Sequence, residues 1–404
     1  MKVCYISSFY PPLIFGGAEI YVSRVSEKLV QEGFEVIVIT TDSKISIKPS
    51  IEERNGVKVY RFHPLNIYAI SNTLNKPRPV KLIWYGIDLF NLHSFRTVKD
   101  ILKKEEPDIV HIHNFKGFSL AFNAVKSLNL PLIFTVHDYF IECPKENLFK
   151  NSGEICNRKP VMCHFYARIQ RYLKDNRPDI ITAPSQFVIN RVKKDGFFGG
   201  VKAIKLPLGV EVGGNEKIEK DYETIDILYV GRLNKHKGLH VLIEAFKQLK
   251  YKNIHLHVVG TGSDMEEFKK IAGPDPNITF YGFIPNNKLI ELYKKANIVV
   301  VPSIWYEVFG IVIIESFKYG IPVIGSRIGG IPELIENGHN GYLFEPGNMI
   351  ELKNLLESLI ENPLELKRLS DNAFENAREY SMETHINKLK KLYKDVHERI
   401  GNLR

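Results

Sequence analysis

Short runs of β-branched and aliphatic residues recur along this chain, each followed by a longer stretch with helical spacing, and this alternation constrains the fold more than any other feature. In the first half the runs are Lys2–Ser7, Glu35–Thr40, Asp108–His113, Pro131–Val136 and Asp179–Ala183; in the second they are Asp226–Val230, Ile254–Val259, Ile278–Tyr281, Ile298–Pro302 and Val323–Gly325. Strands that alternate with helices form parallel βαβ units, and a strand covered by helices on both faces reads as a nearly continuous apolar run. The rhythm therefore predicts an α/β protein with two doubly wound parallel sheets.

Residues 199–221 interrupt it with Gly199-Gly200, Pro207, Gly209 and Gly213-Gly214. The expected organisation is an N-terminal domain over 1–207, a second over 208–380, and a terminal helix over 381–404, after the break Ser381-Met382-Glu383, that returns to the first domain. The 404 residues exceed the size at which one core usually keeps growing, about 250–300. Ligands of open parallel sheets gather beyond the carboxyl ends of the strands, so two facing sheets would enclose a central cleft, and the strand-to-helix loops are where function is to be sought.

Several classes are excluded early. Apolar runs such as Ile298–Val301 fall far short of the roughly 20 residues that cross a bilayer. The first strand soon meets Pro11-Pro12 and Gly16-Gly17, unlike a secretory signal. Four cysteines make a reducing, cytoplasmic setting the expectation. The net charge of +9 favours anionic partners, but no nucleic-acid motif accompanies it, and Lys388, Lys390, Lys391 and Lys394 read as the solvated face of the last helix.

The most specific chemistry lies in Pro302-Ser303-Ile304-Trp305-Tyr306-Glu307-Val308-Phe309-Gly310-Ile311-Val312-Ile313-Ile314-Glu315, which runs from a strand end into an apolar helix. Free amides of Gly310, Ile311 and Val312 at the helix N-terminus favour an anion, and a diphosphate fits there. Were the whole stretch helical, Glu307 and Glu315 would stand roughly 12 Å apart, about the span between distal parts of one nucleotide sugar. Taken alone, a helix-capping Glu307 and a solvated Glu315 account for the same residues.

A second loop, Gly231-Arg232-Leu233-Asn234-Lys235-His236-Lys237-Gly238, follows the strand Asp226–Val230. Arg232 can grip two phosphate oxygens with its planar fork, and Lys237 supplies a compact charge for a departing diphosphate. Gly16-Gly17-Ala18-Glu19 follows the first strand, where glycines let a ligand near the backbone, although a tight turn explains them almost as well. His137-Asp138 ends the strand Pro131–Val136, and an imidazole there could bond a sugar hydroxyl. Of His111 and His113, alternation predicts one in the core and one on a loop.

In this order the four segments resemble the retaining glycosyltransferases of family 4, whose fold is GT-B, and the resemblance spans nearly the whole chain. It implies that Arg232 and Lys237 bind the donor diphosphate, Glu315 the ribose, and Glu307, with Phe309, Gly310 and the neighbouring amides of Ile311 and Val312, the transferred sugar. Phe283-Ile284 would contact the base, Gly16-Gly17 would approach from the N-terminal side, and His137 would lie near the reacting carbon. No Asp-x-Asp motif occurs, so metal-independent chemistry without a cofactor is implied. The reaction implied is transfer of a hexose-type sugar from a nucleoside-diphosphate sugar to a glycan or lipid-linked acceptor in polysaccharide or envelope synthesis. Lys205-Leu206-Pro207-Leu208-Gly209-Val210-Glu211 departs from the family's usual Pro-Asn-Gly-Val-Asp at the domain junction.

Two alternatives share the pattern: a sugar phosphorylase or nucleotide-sugar epimerase of the same fold, and a non-catalytic nucleotide-sugar-binding protein. Cys143, Cys156, Cys163 and His164 form an acceptable zinc set by type, without a recognised spacing. The mixed basic and aromatic stretch from Lys76 to Tyr85 suits peripheral contact with an anionic membrane, or core packing of Trp84.

Overall fold

The computed structural model describes residues 1–44, 48–150, 152–175, 177–211 and 218–401, so Gly213-Gly214 lie outside the described residues. It divides into two units. The first holds Met1–Asn147, Arg158–Pro207 and the terminal helix from Glu383; the second holds Leu148–Asn157 and Leu208–Met382.

The first unit begins β1 (Lys2–Ser7), α1 (Gly17–Gln31), β2 (Glu35–Thr41), β3 (Ser50–Arg54), β4 (Val57–Phe62), α2 (Arg78–Leu89) and α3 (Leu92–Glu105). It continues β5 (Ile109–Ile112), α4 (Ala121–Lys126), β6 (Leu132–Thr135), α5 (Val161–Lys174), β7 (Ile180–Ala183), α6 (Gln186–Lys194) and β8 (Lys202–Lys205). Its sheet runs β3-β4-β2-β1-β5-β6-β7-β8, parallel except where β3 pairs with β4. The apolar runs named from sequence are its buried centre: β1, β5, β6 and β7 are inaccessible along almost their whole length. β3, β4 and β8 were not anticipated; β3 and β8 lie at the edges, while β4 is largely buried between β3 and β2. β3 is exposed throughout, and β8, in the stretch taken as irregular, carries Lys202 and Lys205 outward.

The second unit contains β9 (Ile225–Val230), α7 (Leu239–Phe246), β10 (Ile254–Val259), α8 (Met265–Ala272), β11 (Ile278–Gly282), α9 (Asn286–Lys295) and β12 (Ile298–Val301). α10 (Ile311–Lys318), β13 (Val323–Ser326), β14 (Gly341–Phe344), α11 (Met349–Ile360) and α12 (Pro363–Ala377) follow. Its parallel sheet runs β11-β10-β9-β12-β13-β14, with Ile227, Leu256, Val258, Leu242 and Phe246 among the side chains of its core.

Both sheets are Rossmann-like. Strand order reverses between β1 and β5 in the first and between β9 and β12 in the second, and the loops beyond such a switch point are where open α/β sheets bind ligands.

The terminal helix α13 (Met382–Gly401) joins the first unit through polar contacts among buried rings. Tyr393 Oη lies 2.8 Å from both Tyr5 Oη and His111 Nδ1. His385 Nδ1 donates to the Pro207 carbonyl at 2.7 Å, which leaves its Nε2 to accept from Tyr21 Oη at 2.8 Å. The lysines of α13 lie on its outer side, with Lys390 paired to Glu32 at 2.8 Å.

Candidate active site at the strand ends of the second unit

β9 and β12 are neighbours, so the loops that leave them leave side by side. Ile304 N donates to the His236 carbonyl at 2.9 Å, joining the two loops through their backbones. Gly238, at φ 73°, permits this approach: a Cβ there would fall 1.8 Å from the Pro302 oxygen. The first loop is also tied to the loop after β10, by Leu233 N to Thr261 O at 2.9 Å and Asn234 Nδ2 to Ser263 Oγ at 2.9 Å.

Across the joined loops Lys237 Nζ reaches both oxygens of Glu307, at 2.8 and 3.0 Å. Ser303 Oγ donates to Glu307 Oε2 at 3.2 Å, and the Trp305 ring centre lies 4.8 Å from Lys237 Nζ. The lysine and glutamate side chains are 21% and 13% exposed, so solvent or a ligand still reaches the pair. His236 fills the space behind, its ring 5.2 Å from Trp305 and 5.9 Å from Phe149. Burial lowers the His236 pKa to about 4; Lys237 and Arg232 add to this and Glu307 opposes it, so the imidazole is neutral near pH 7 and both cations lie within electrostatic reach. Arg232 itself is exposed, and its carbonyl accepts from Tyr229 Oη at 3.0 Å.

α10 begins at the amides expected from the sequence at its N-terminus. Gly310, at φ 99°, is its N-cap and Ile311 its first residue, so Glu307 to Gly310 form a loop. Only the steps from Ile311 to Glu315 carry helical rise, roughly 6 Å, which replaces the 12 Å expected for a continuous helix. Gly310, Ile311 and Val312 are partly accessible at the helix start, whereas the Phe309 ring is buried, 6.2 Å from Tyr380. Glu315 Oε2 accepts from Tyr293 Oη at 3.2 Å, and Tyr293 stacks on Tyr319 at 5.3 Å. Ile284 lies two strands away, beyond the edge strand β11 and beside Phe283, which is 85% exposed.

Gly16, Gly17 and His137 belong to the first unit. Gly16 caps α1, its amide donating to Glu19 at 2.6 Å, and Gly17 is the first helical residue. His137 Nε2 meets His113 Nδ1 at 2.9 Å, and burial lowers its pKa to about 3. Neither His111 nor His113 lines a loop. Both are buried, their rings 4.1 Å apart and stacked edge-on by Tyr5, because α1 and α13 close over the strand ends. Asp138 is pushed up to about 7, chiefly by burial and then by the charge of Glu146.

Cys143 is buried in the first unit, Cys163 lies on α5 and Cys156 belongs to the second unit. Among the described residues no group of three or more His, Cys, Asp or Glu is placed to hold a metal ion.

Sequence reasoning missed three supports of the pair. Trp305, one of only two tryptophans, stood unassigned inside the named segment. Gly329-Gly330 follows β13, and Gly330 N donates to the Glu307 carbonyl at 2.7 Å; a glycine pair after a strand was the available signal. Phe149 had no local signal, since its ring partner His236 is remote in sequence.

Residues 15–204 match the family described as Glycosyltransferase Family 4, and residues 215–376 match Glycosyl transferases group 1. The chain belongs to the family 4 glycosyltransferases. An uncharacterized glycosyltransferase of Methanocaldococcus jannaschii is 28% identical to this family 4 enzyme over 363 residues, covering 86% of each chain. Sucrose-phosphate synthase from Thermosynechococcus elongatus shares the GT-B fold at a TM-score of 0.79 and 20% identity, over 98% of this chain and 99% of that one. HepE of Anabaena, solved in complex with UDP and glucose, aligns at a TM-score of 0.72 and 19% identity over 98% and 99%. Among the described residues of this glycosyltransferase, no helix is long and apolar enough to cross a membrane.

Proposed function

We propose that this glycosyltransferase moves a hexose-type sugar from a nucleoside-diphosphate sugar to a hydroxyl of a glycan or lipid-linked acceptor, with retention of configuration and without a metal. The observation that carries the reading is the Lys237–Glu307 pair at the switch point of the second sheet. A lysine preset by a carboxylate and an indole face is a ready counter-charge for a leaving diphosphate, and preorganised stabilisation of that charge is the main way a transferase of this kind lowers its barrier. The double negative charge of a diphosphate outcompetes one carboxylate for Lys237, and Arg232 and the amides of Gly310, Ile311 and Val312 complete its grip. Glu307, released, then faces the hydroxyls of the transferred sugar.

In this scheme Glu315, oriented by Tyr293, meets the ribose, Ile284 the base, and Phe309 fixes the loop by burying its ring. Gly16 and Gly17 approach the ligand from the first unit, and His137, neutral at working pH, offers a hydrogen bond without a charge. The UDP complex of the Anabaena neighbour is in keeping with a nucleoside-diphosphate donor. The setting proposed is polysaccharide or envelope glycan synthesis at the cytoplasmic face of a membrane, with peripheral contact to anionic lipid.

The decisive measurement is turnover over a panel of nucleotide sugars, with and without an acceptor hydroxyl, the product anomer read by NMR. Lys237→Met should lower kcat/KM by about 10²–10³ at an unchanged melting temperature, as loss of one preorganised charge does elsewhere. Wild-type turnover by that variant, acceptor-independent epimer formation, or an inverted product would each overturn the proposal.

A further inference from the structure

α2 and α5 of the first unit carry apolar side chains on their outward sides as well as on their buried ones, whereas surface helices usually turn charge to water and apolar residues to the core. On α2 and the residue after it, Leu82, Ile83, Ile87 and Phe90 are exposed, Ile83 and Phe90 each to 57%. Its opposite side buries Trp84, Asp88 and Leu89. α5 repeats the arrangement: Val161, Met162, Phe165 and Tyr172 are exposed, Phe165 to 61%, while Tyr166, Ala167, Gln170 and Leu173 face inward.

The two helices adjoin. The rings of Tyr85 on α2 and Tyr166 on α5 meet at 6.4 Å. Several exposed apolar side chains are thus gathered on two adjoining helices rather than scattered singly over the unit, and clustered apolar surface on a soluble domain marks a binding surface.

Its charge selects the occupant. α5 contains no carboxylate, and its exposed basic side chains are His164, Arg168 and Arg171. The only acid on α2, Asp88, is buried and accepts from Ser119 Oγ at 2.8 Å. Apolar side chains that share two helices with exposed cations and with no exposed carboxylate of those helices match a bilayer with anionic headgroups, into which the apolar groups sink while arginines stay at the phosphates. A second copy of the chain would bring the same cations against one another.

We propose that the outward faces of α2 and α5 form the surface by which this protein docks on an anionic lipid bilayer. The assignment deepens the membrane contact proposed above by naming its residues, and it does not depend on which sugar is transferred.

Sedimentation of the full chain with vesicles tests it. Wild-type protein should pellet with phosphatidylcholine–phosphatidylglycerol vesicles and much less with phosphatidylcholine alone. The double variant Ile83→Glu with Phe165→Glu should lose vesicle binding, and Arg168→Gln should weaken partitioning roughly fivefold, the value of one cation near an anionic surface. Because the replaced side chains are exposed, thermal melts and turnover on a water-soluble acceptor should stay at wild-type level. Vesicle binding unchanged in all variants would overturn the proposal, as would a wild-type dimer that the double variant splits while neither protein binds lipid. Lipid binding by a chain that transfers no sugar would leave this surface standing and remove the transfer reaction instead.

Discussion

Lys237 and Glu307 could be read from the sequence because each stands just past an apolar run, where a parallel sheet ends and its ligand loops begin. What holds them could not, because the supports come from other loops. Gly329 shows why. At φ 62° it adopts a conformation that a side chain disfavours, and a Cβ there would fall 2.3 Å from the Glu307 oxygen and 2.5 Å from its nitrogen. Backbone against backbone cannot yield as a flexible side chain can. Gly329→Ala should therefore cost about 1–3 kcal/mol of stability and displace Glu307, lowering transfer as well. Glu307→Gln, by contrast, should lower transfer while leaving the melt nearly unchanged. Paired melting and kinetic measurements on the two variants check this; a Gly329→Ala protein with wild-type values for both would show that the loop has room to move.

Among the elements, most central strands were legible, as was the edge strand β11; β3 is wholly exposed and carries no apolar run to betray it, and β4 and β14 were missed although largely buried. The segment Leu148–Asn157 was equally hidden. It is flanked in sequence by first-unit residues, yet it groups with the second unit, where Phe149 backs His236 and Tyr306 Oη donates to Asn157 Oδ1 at 3.4 Å. Since His236 backs Trp305, and Trp305 lies under Lys237, removing the Phe149 ring should let the site relax. Phe149→Ala is expected to lower kcat/KM roughly tenfold to a hundredfold, within what a misplacement of about an ångström costs, while Phe149→Tyr should retain most activity. The docking of α13 makes a second demand. His111, His113, His137 and His385 all have pKa values pushed below their ordinary range by burial, His385 to about 4. The unfolded chain thus takes up protons first as pH falls through about 6.5, and stability present above that pH is lost on the way down to 4, by up to about 1.4 kcal/mol per pH unit for each imidazole. The melting temperature should fall steeply over that window, and His385→Gln should flatten the fall. A pH-independent melt between 6.5 and 4 would mean that these rings are solvated.

At the scale of the whole molecule, the sequence announced two sheets through its doubled rhythm, and each unit has its own sheet and its own reversal of strand order. A switch point alone does not tell which unit holds a nucleotide, because both have one. The charge at the strand ends does. In the second unit, Arg232 and Lys237 stand in the loop after β9, and the β12 loop leads into the N-terminus of α10. In the first unit, the corresponding positions hold neutral histidines and Glu19. A diphosphate should therefore bind mainly to the second. Hydrogen exchange with UDP alone should protect residues 231–238 and 302–312, with much smaller changes in the β1 and β5 loops, and the pattern should survive a chelator, because cationic side chains and amides rather than a metal neutralise the phosphates. Protection spread evenly over both units would divide the grip between them, and protection abolished by the chelator would give the phosphates to a metal ion; in either case Lys237 would lose the role assigned to it.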